Sequence, residues 1–518
     1  MTANGEESGP NREVELKLAL APADVERLLS HPALRAAAAA PPRAQRLSST
    51  YWDTPERALI AEGMVLRIRR AGGRRLQTVK SWDGAAGRLV RREWECPAAD
   101  DSPDPRLIGD AEIRRLVEMR AAQGLQPMFR SDIRRRAWLV GLGANRIECA
   151  LDQGAIVAGA ARLPVCEVEL ELKRGSAAAL FALARRLNRT VPLRLSPETK
   201  AERGYRLLTD APPAPHKARP VRLKASMSVR EATVEILRNC LVQVVGNLDA
   251  AADGRDPEGV HQLRVGLRRL RAALSLFEDV VAVPGRWLDD LRRIQRAVAP
   301  ARDWDVLIAG TLAASAPHLG DQEGLARLRE AAEAERAKAY AQCRAVLADR
   351  RTTETLLRLE AWVESGLPVG GRGRPAAPEG DEAVLDGDIH RYAARALRQR
   401  RERVRKLAAK LNTLDNRRLH RLRIRVKKLR YALEFFRDLR RGRVARRALD
   451  RLREFADGLG LVNDGVVVLA TVSRLETLAG PGSERAAAQV EGWCAAQIAQ
   501  TRAGLGRQWQ AFAAADGR

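Results

Sequence analysis

The chain has 518 residues, room for several domains, and at 45% apolar residues it is hydrophobic enough to bury cores rather than stay disordered. Six cysteines lie far apart with no CxxC pair, which excludes a disulfide scaffold, and no run of 18 apolar residues suggests a membrane span. Lys and Arg outnumber Asp and Glu by 91 to 65, a net charge of +26, which points to polyanionic partners: nucleic acid, polyphosphate or an anionic membrane.

The first residues, "MTANGEESGPNREVELKL", lack the basic start and apolar core of a signal peptide, so the expected location is the cytoplasm. To about residue 210, short alternating stretches predict strands: "EVELKL", "MVLRIRR", "RLQTVK", "LVRREWEC", "RRRAWLV", "NRIECALD" and "VCEVELELK". Helical stretches interrupt near 22–30 and 176–188. The polar halves of these strands are rich in both signs of charge. Glu13, Glu15 and Lys17 share a face, as do Glu167, Glu169, Glu171 and Lys173. Carboxylates spaced this way suit a hard, oxygen-liganded ion such as Mg²⁺ or Mn²⁺. Arg67 with Arg69, Lys80, and Arg134 with Arg136 add cations. Glu93, Glu95, Glu148 and Asp152 fit either a lumen lining or ion-pair partners within it. A barrel built from these strands, charged inside and apolar outside, needs a charged ligand, and metal-binding carboxylates among bases suit a phosphate chain. His31 and His216 read as loop residues without partners, Lys173 as a strand end in solvent, Trp52 and Trp82 as packing, and the cysteines as buried or half-buried thiols.

"APPAPHKARP" at 211–220 reads as a Pro-rich linker, and helical periodicity follows it. "HQLRVGLRRLRAALSLF" (261–277) sets Leu263, Leu267, Leu270, Leu274 and Phe277 on one stripe, and His261, Arg264, Arg268 and Arg271 on the next. The pattern returns 159 residues later in "HRLRIRVKKLRYALEFF" (420–436), with His420, Arg423, Lys427 and Arg430. From Arg391 to Arg453 there are 25 Lys or Arg against five acids. "ARDWDVL" (301–307) and "VNDGVVVL" (462–469) form a looser pair whose Arg302, Asp303, Asp305, Asn463 and Asp464 cap helices or pair with the basic stripe. "GLPVGGRGRPAAPEGD" (366–381) reads as a disordered loop between two units, 221–365 and 382–518. The duplicated stripe suggests two faces meeting around one anion.

"EVELKL", "YWDTPERALIAEGMVLRIRR", "QTVK", "RREWE", "ALDQGAI", "CEVELELKRG" and "SPETKAERGYRLL", in this order, resemble the CYTH superfamily of triphosphate tunnel metalloenzymes over about 11–208. The resemblance implies an eight-stranded antiparallel β-barrel tunnel that cleaves a phosphoanhydride with divalent metal. It implies metal ligands Glu13, Glu15, Glu169 and Glu171. Phosphates fall to Lys17, Arg67, Arg69, Lys80, Arg134, Arg136 and Lys200, and Glu167 or Glu169 would orient the attacking water. "VHQLRVGLRRLRAAL" and "LHRLRIRVKKLRYAL" resemble the CHAD (conserved histidine α-helical) domain over about 221–512. That implies two pseudo-symmetric four-helix bundles binding polyphosphate through His261, Arg264, Arg268, Arg271, His420, Arg423, Lys427 and Arg430.

The expected protein is thus an α+β multidomain chain: a tunnel domain (1–210), a linker (211–220) and an all-α domain (221–518). Its expected activity is metal-dependent hydrolysis of inorganic triphosphate, with the basic domain binding polyphosphate or targeting its granules. Class IV adenylate cyclase-like or thiamine triphosphatase activity is the alternative within the tunnel, and a polyphosphate- or nucleic-acid-binding protein the alternative outside catalysis. Sparse aromatics among the bases argue against nucleic acid. The histidines suggest binding that depends on pH near neutrality; metal ligation by them lacks a visible third ligand.

Overall fold

The computed structural model describes residues 12–37, 42–81, 90–122, 124–281, 283–367, 381–440 and 442–516; of Arg12, Glu13, Val90, Arg91, Arg92, Asp381 and Glu382 it describes the backbone. Trp82 and the expected disordered loop, apart from Gly366, Leu367 and Asp381, lie outside the described residues. The chain forms two compact units. The first comprises Met1–His216, Val245–Gly259 and Leu347–Ser365; the second comprises Lys217–Val244, Val260–Val346 and Gly366–Arg518. Two segments expected in the helical domain therefore pack in the first unit.

Among the described residues nine strands build the first unit: β1 Arg12–Leu20, β2 Arg43–Asp53, β3 Met64–Ala71, β4 Arg74–Ser81, β5 Val90–Pro97, β6 Gln126–Leu142, β7 Asn145–Ala158, β8 Ala161–Arg174 and β9 Leu193–Leu195. Their order is β5-β4-β3-β2-β6-β7-β8-β1-β9, and β5 also pairs with β1. The eight strands β1–β8 thus close into an antiparallel ring, which removes the open edges. The short β9 borrows the end of β1, pairing Leu18 with Leu195 beyond the stretch that β5 uses.

Alternation aims the side chains. Leu16, Leu18 and Leu20 of β1 and Val168 and Leu170 of β8 are buried on the outer face. The helix Ala177–Asn188 covers that side with Leu180, Phe181, Ala184 and Leu187. A second helix, Arg350–Glu364, packs on the first; Arg185 donates to Glu354 (2.9 and 3.0 Å) and Asn188 to the Arg350 carbonyl (3.3 Å). The Pro-rich stretch is clamped rather than loose at His216, whose backbone N–H and C=O both bond the Asn247 side chain at 2.8 Å. His31, read as an unpartnered loop residue, is buried: its Nδ1 accepts from the Ala33 N–H (3.1 Å) and its Nε2 meets the Arg186 carbonyl (3.2 Å). The helix Ala111–Ala121, capped by Asp110, was not foreseen.

Among the described residues the second unit carries all or most of the length of two sets of four long helices. The first set is Val229–Gly246, Pro257–Leu276, Gly285–Val306 and Gln322–Ala348; the second is Ile389–Ala408, Asn416–Phe435, Arg443–Ala479 and Glu484–Asp516. The leucine stripes form the cores: Leu263, Leu267 and Leu270 in one set, Leu422, Val426 and Leu429 in the other, are at most 1% exposed. Phe277, which ends the first stripe, stacks on Tyr392 (5.3 Å) and meets Phe436, the end of the second, edge-on (6.2 Å). Helices Arg443–Ala479 and Glu484–Asp516 pack closely at Gly465, where a Cβ would come within 2.6 Å of Ile498. Arg443–Ala479 is long and apolar enough to cross a membrane by length and composition alone, yet it buries Leu452, Phe455, Val462, Val472 and Leu475 within this unit. All six cysteines are free thiols.

Candidate functional site

Inside the barrel lies a cavity of about 570 Å³. Among the described residues its cations are Lys17, Arg67, Arg69, Lys80, Arg135, Lys173 and Lys200; its carboxylates are Glu15, Glu93, Glu95, Asp152, Glu169 and Glu171. Seven positive against six negative groups leave the lining at a formal +1. One end is apolar, where Leu47, Tyr51, Val65 and Ile133 join Phe129, Ala201 and Tyr205 in a core.

Strand register sets the charge pattern. Glu15 stands opposite Glu171, Lys17 opposite Glu169 and Ala19 opposite Glu167; on the other side of β8, Glu171 faces Glu148 and Glu167 faces Asp152. Directly opposed like charges repel unless a cation intervenes. Lys17 bridges Glu15 (3.1 Å) and Glu169, and Lys173 pairs with Glu171 (2.6 Å), so Lys173 lines the cavity although it is 41% exposed. Lys80 and Arg67 share Glu93, at 2.9 and 3.4 Å.

The arginine assignment on β6 needs correction. Ser131, Ile133 and Arg135 face the cavity, so Arg134 and Arg136 lie on the opposite face; Arg134 is exposed and Arg136 bonds Gln153 (2.9 Å). Three consecutive arginines hide the parity, and buried apolar residues occur on both faces: Ile133 inward, Trp138 and Val140 outward. Arg135 forks onto Asp152 (both bonds 2.7 Å) and reaches Glu169.

The helix Lys200–Leu207 brings the last cations. Thr199 and Glu202 form a capping box, with bonds of 3.0 and 2.7 Å, which places Lys200 at the first helical position. Gly204 lets the helix press on Phe129, because a Cβ there would run into the ring. Tyr205 donates to Asp53 (2.8 Å), a fully buried carboxylate that also accepts the N–H groups of Thr54, Leu59 and Ile60. Lys200 Nζ bonds Asp152 (2.6 Å), Glu169 (2.9 Å) and Glu167, and Arg203 holds Glu167 from the other side. Oxygens of Asp152, Glu167 and Glu169 lie within 4.8 Å of one another. Burial alone would lower the Lys200 ammonium; the three carboxylates raise it instead. Likewise burial would raise Glu169, but Lys17, Lys200 and Arg135 hold it well below the usual carboxylate range.

Arg69 differs from its neighbours. It makes no hydrogen bond or ion pair among the described residues, and its Nε is buried without a partner. Burial, then Arg67 and Arg135, push its guanidinium down to about 10. Beside it the Tyr51 phenol, which burial would push up, is held below its ordinary value by Arg67, Arg69 and Lys200. Tyr51, Arg135 and Arg203 were missed as site members from sequence, whereas Asp152, Glu93 and Glu95 line the cavity as one of their two readings had it. Of the expected residues, Glu15, Lys17, Arg67, Arg69, Lys80, Glu169, Glu171 and Lys200 line the cavity, Glu167 borders it, and the Glu13 side chain lies outside the described residues.

In the second unit, the two stripes meet. Arg264 donates to the Ala299 carbonyl (2.7 Å) and Asp303 (3.1 Å); its counterpart Arg423 donates to Asp464 (3.0 Å). His420 bonds Asn463 through Nδ1. The looser repeat thus supplies each stripe with an aspartate. Burial lowers Arg423 and Lys427, and Arg268 of the other stripe adds to both; Asp464 in turn acts on Arg264. Burial, with Arg423, Arg268 and Arg430 outweighing Asp464, pushes the Lys427 ammonium down to about 7. Arg430 lies over the Tyr431 ring (5.0 Å). Arg271 stands apart, bonding Gln295 (2.6 Å).

Residues 11–205 match the CYTH domain family and residues 235–473 the CHAD domain family. The chain joins a CYTH domain to a CHAD domain. An inorganic triphosphatase from Haemophilus influenzae is 34% identical over 165 residues, which is 31% of this chain and 46% of that protein, so the match spans about half of the relative's length. The crystal structure of a CHAD domain from the plant Ricinus communis is 32% identical, with a TM-score of 0.51, covering 58% of this chain and 97% of that one. That coverage makes the chain a member of the CHAD family, and the closed ring of antiparallel strands is its CYTH tunnel.

Proposed function

We propose that the CYTH domain hydrolyses inorganic triphosphate with a divalent ion, Mg²⁺ or Mn²⁺, and that the CHAD domain binds polyphosphate and brings the enzyme to it. Arg69 is the observation that carries the first part. A buried guanidinium crowded by Arg67 and Arg135, without a bonded carboxylate, is relieved by an anion with several oxygens. A lining near charge balance does not by itself neutralise a triphosphate, so the substrate must bring cations with it.

The donor set fits a hard ion: it is all carboxylate oxygen, with Glu15 opposite Glu171 and Glu169 one step along β8. These three, with Glu13 from the sequence, would hold it; a bound ion polarises phosphoryl oxygens. Arg67, Arg69, Lys80, Arg135 and Lys200 bind and orient the phosphates. Glu169, which stays ionised beside three cations, is a poor proton acceptor and serves to orient water by accepting its hydrogen bond. The test is phosphate release from inorganic triphosphate, ATP, thiamine triphosphate and long polyphosphate by the full chain. Inorganic triphosphate should give the highest kcat/KM; a higher value on ATP or thiamine triphosphate would replace it as the substrate.

For the CHAD domain, the meeting of Arg264 and Arg268 with Arg423 and Lys427 supports a polyanion. Retention of polyphosphate over RNA in a competition scanned through salt concentration tests it.

A further inference from the structure

At one basic position of the internal repeat the two copies are housed differently, and the difference leaves a second basic patch. Arg269 and Lys428 occupy equivalent places in the two stripes. Arg269 is 5% exposed and satisfied within its own bundle: it donates to Gln243 (2.7 Å) and Asn239 (2.9 Å) and lies over the Phe435 ring (5.5 Å). Lys428 is exposed and reaches across to the first stripe, donating to the Ser275 hydroxyl (3.0 Å). On the same serine, Arg400 of the helix Ile389–Ala408 donates to the backbone carbonyl (2.8 Å). Arg271, one turn back from Ser275, and Arg403, one turn on from Arg400, complete the group: both act electrostatically on Lys428.

The carboxylates nearby do not neutralise these cations. Asp279 accepts from the Tyr392 hydroxyl (2.6 Å) and Arg395 (3.1 Å), and Glu278 acts on Lys428 and Arg400 without an ion pair to either among the described residues. The central stripe, by contrast, carries its own aspartates on Arg264 and Arg423. From Arg264 to Arg271 the helix advances about 10 Å, so the patch lies beyond the central site along the same helix.

We propose that Arg271, Arg400, Arg403 and Lys428 form a second phosphate subsite, on one side of the central stripe only, that engages the continuing chain of a long polyphosphate. This rests on the reading of the CHAD domain as a polyphosphate binder. It brings in a helix that the histidine-arginine motif does not contain, and it gives the site a direction, because the equivalent place on the other side is filled by the satisfied Arg269.

The experiment measures binding of the full chain to a short oligophosphate and to long polyphosphate, across salt concentrations, for wild type and for Arg403→Ala/Lys428→Ala. Among the described residues the Arg403 side chain makes no hydrogen bond or ion pair, its carbonyl still accepts from Arg425 (3.0 Å) after truncation, and Lys428 gives up one bond to a serine hydroxyl, so the fold is retained. Long-chain affinity should fall on the order of tenfold at moderate salt, and the salt slope by about 1.4 for two lost phosphate contacts. Short-chain affinity should stay within about twofold. Arg398→Ala/Arg405→Ala, on the far face of the same helix, removes equal charge and should leave long-chain binding unchanged. Equal loss on both chain lengths, an equal effect of the control pair, or a loss confined to RNA overturns the proposal. Wild type that binds no polyphosphate of any length overturns the parent reading instead.

Discussion

Replacing Lys200 by Met removes the ammonium that ties Asp152, Glu167 and Glu169 together. Those carboxylates are at most 12% exposed, so their charges are not rescued by water. Stripping one partner from a buried ion pair costs about 3–5 kcal/mol. Arg135, Arg203 and Lys17 remain in place, which sets the expected loss at the lower end, about 3 kcal/mol. For a unit of this size that lowers the melting temperature by about 6–12 °C. Calorimetry of the full chain in chelator reads it as a shift of the first unit's transition. Adding Mg²⁺ or Mn²⁺ should then stabilise the variant more than wild type, since a divalent ion takes the place of the ammonium among the three oxygens. The sign with pH follows from the groups. Glu169 is depressed, so its contribution is present above the unfolded value and lost as pH falls; Lys200 is raised, so its contribution is present below the unfolded value and lost only at high pH. Between these limits the wild-type network is intact; in the variant Glu169 has lost one of the cations that depress it, so less stability should be lost as pH falls. A variant that melts within about 2 °C of wild type in chelator would refute the reasoning.

Gly204→Ala drives a methyl into the Phe129 ring and should shift the helix bearing Lys200, raising KM for triphosphate while removing a helix-disfavouring glycine; unchanged KM would show that the helix can slide freely. Tyr205→Phe deletes one bond to the buried Asp53 and should cost about 1.5–3 kcal/mol in thermal or denaturant unfolding of the first unit, whereas no measurable loss would free Asp53 from that role. Lys427, held near 7 by burial and by Arg423, Arg268 and Arg430 against Asp464, is largely uncharged at pH 8. A polyanion favours its charged form, so affinity for polyphosphate should fall as pH rises from about 6 to 8, with proton uptake seen by calorimetry. Lys427→Arg keeps its charge and should flatten the slope; an unchanged slope would remove Lys427 from that role.

Much of this molecule is legible in its sequence where one face is apolar and the other charged. β1 and β8 show this: leucines at one parity pack under a helix, and Glu15, Lys17 and Glu169 at the other reach the lumen. The duplicated stripe shows it again in helices. Legibility fails where the buried face is itself partly polar, or where both faces bury something. β2 buries Ser49 and Asp53 beside Leu47 and Tyr51, so no apolar alternation announces it, and on β6 the run of three arginines concealed that Arg135, not Arg134 or Arg136, turns inward. It fails too where a residue's partner is set by register: Asp152 meets Arg135 and Glu167 because β7 lies between β6 and β8. Cutting the chain after residue 210 to isolate the tunnel would remove Val245–Gly259 and Leu347–Ser365, which pack within the first unit. Arg194 and Ser196 bond Asp249 in one of these segments, and Arg185 bonds Glu354 in the other. Point substitutions in the full chain therefore test the two proposed activities more cleanly than truncation.

The most direct measurement is phosphate release from inorganic triphosphate by the full chain, first in chelator and then with Mg²⁺ or Mn²⁺ restored, in wild type and in Glu15→Gln. Release should require the divalent ion and should be lost in the variant, which still folds because Lys17 keeps its pair with Glu169. Release that persists in chelator, or that survives Glu15→Gln undiminished, would contradict a metal-assisted triphosphatase in this tunnel.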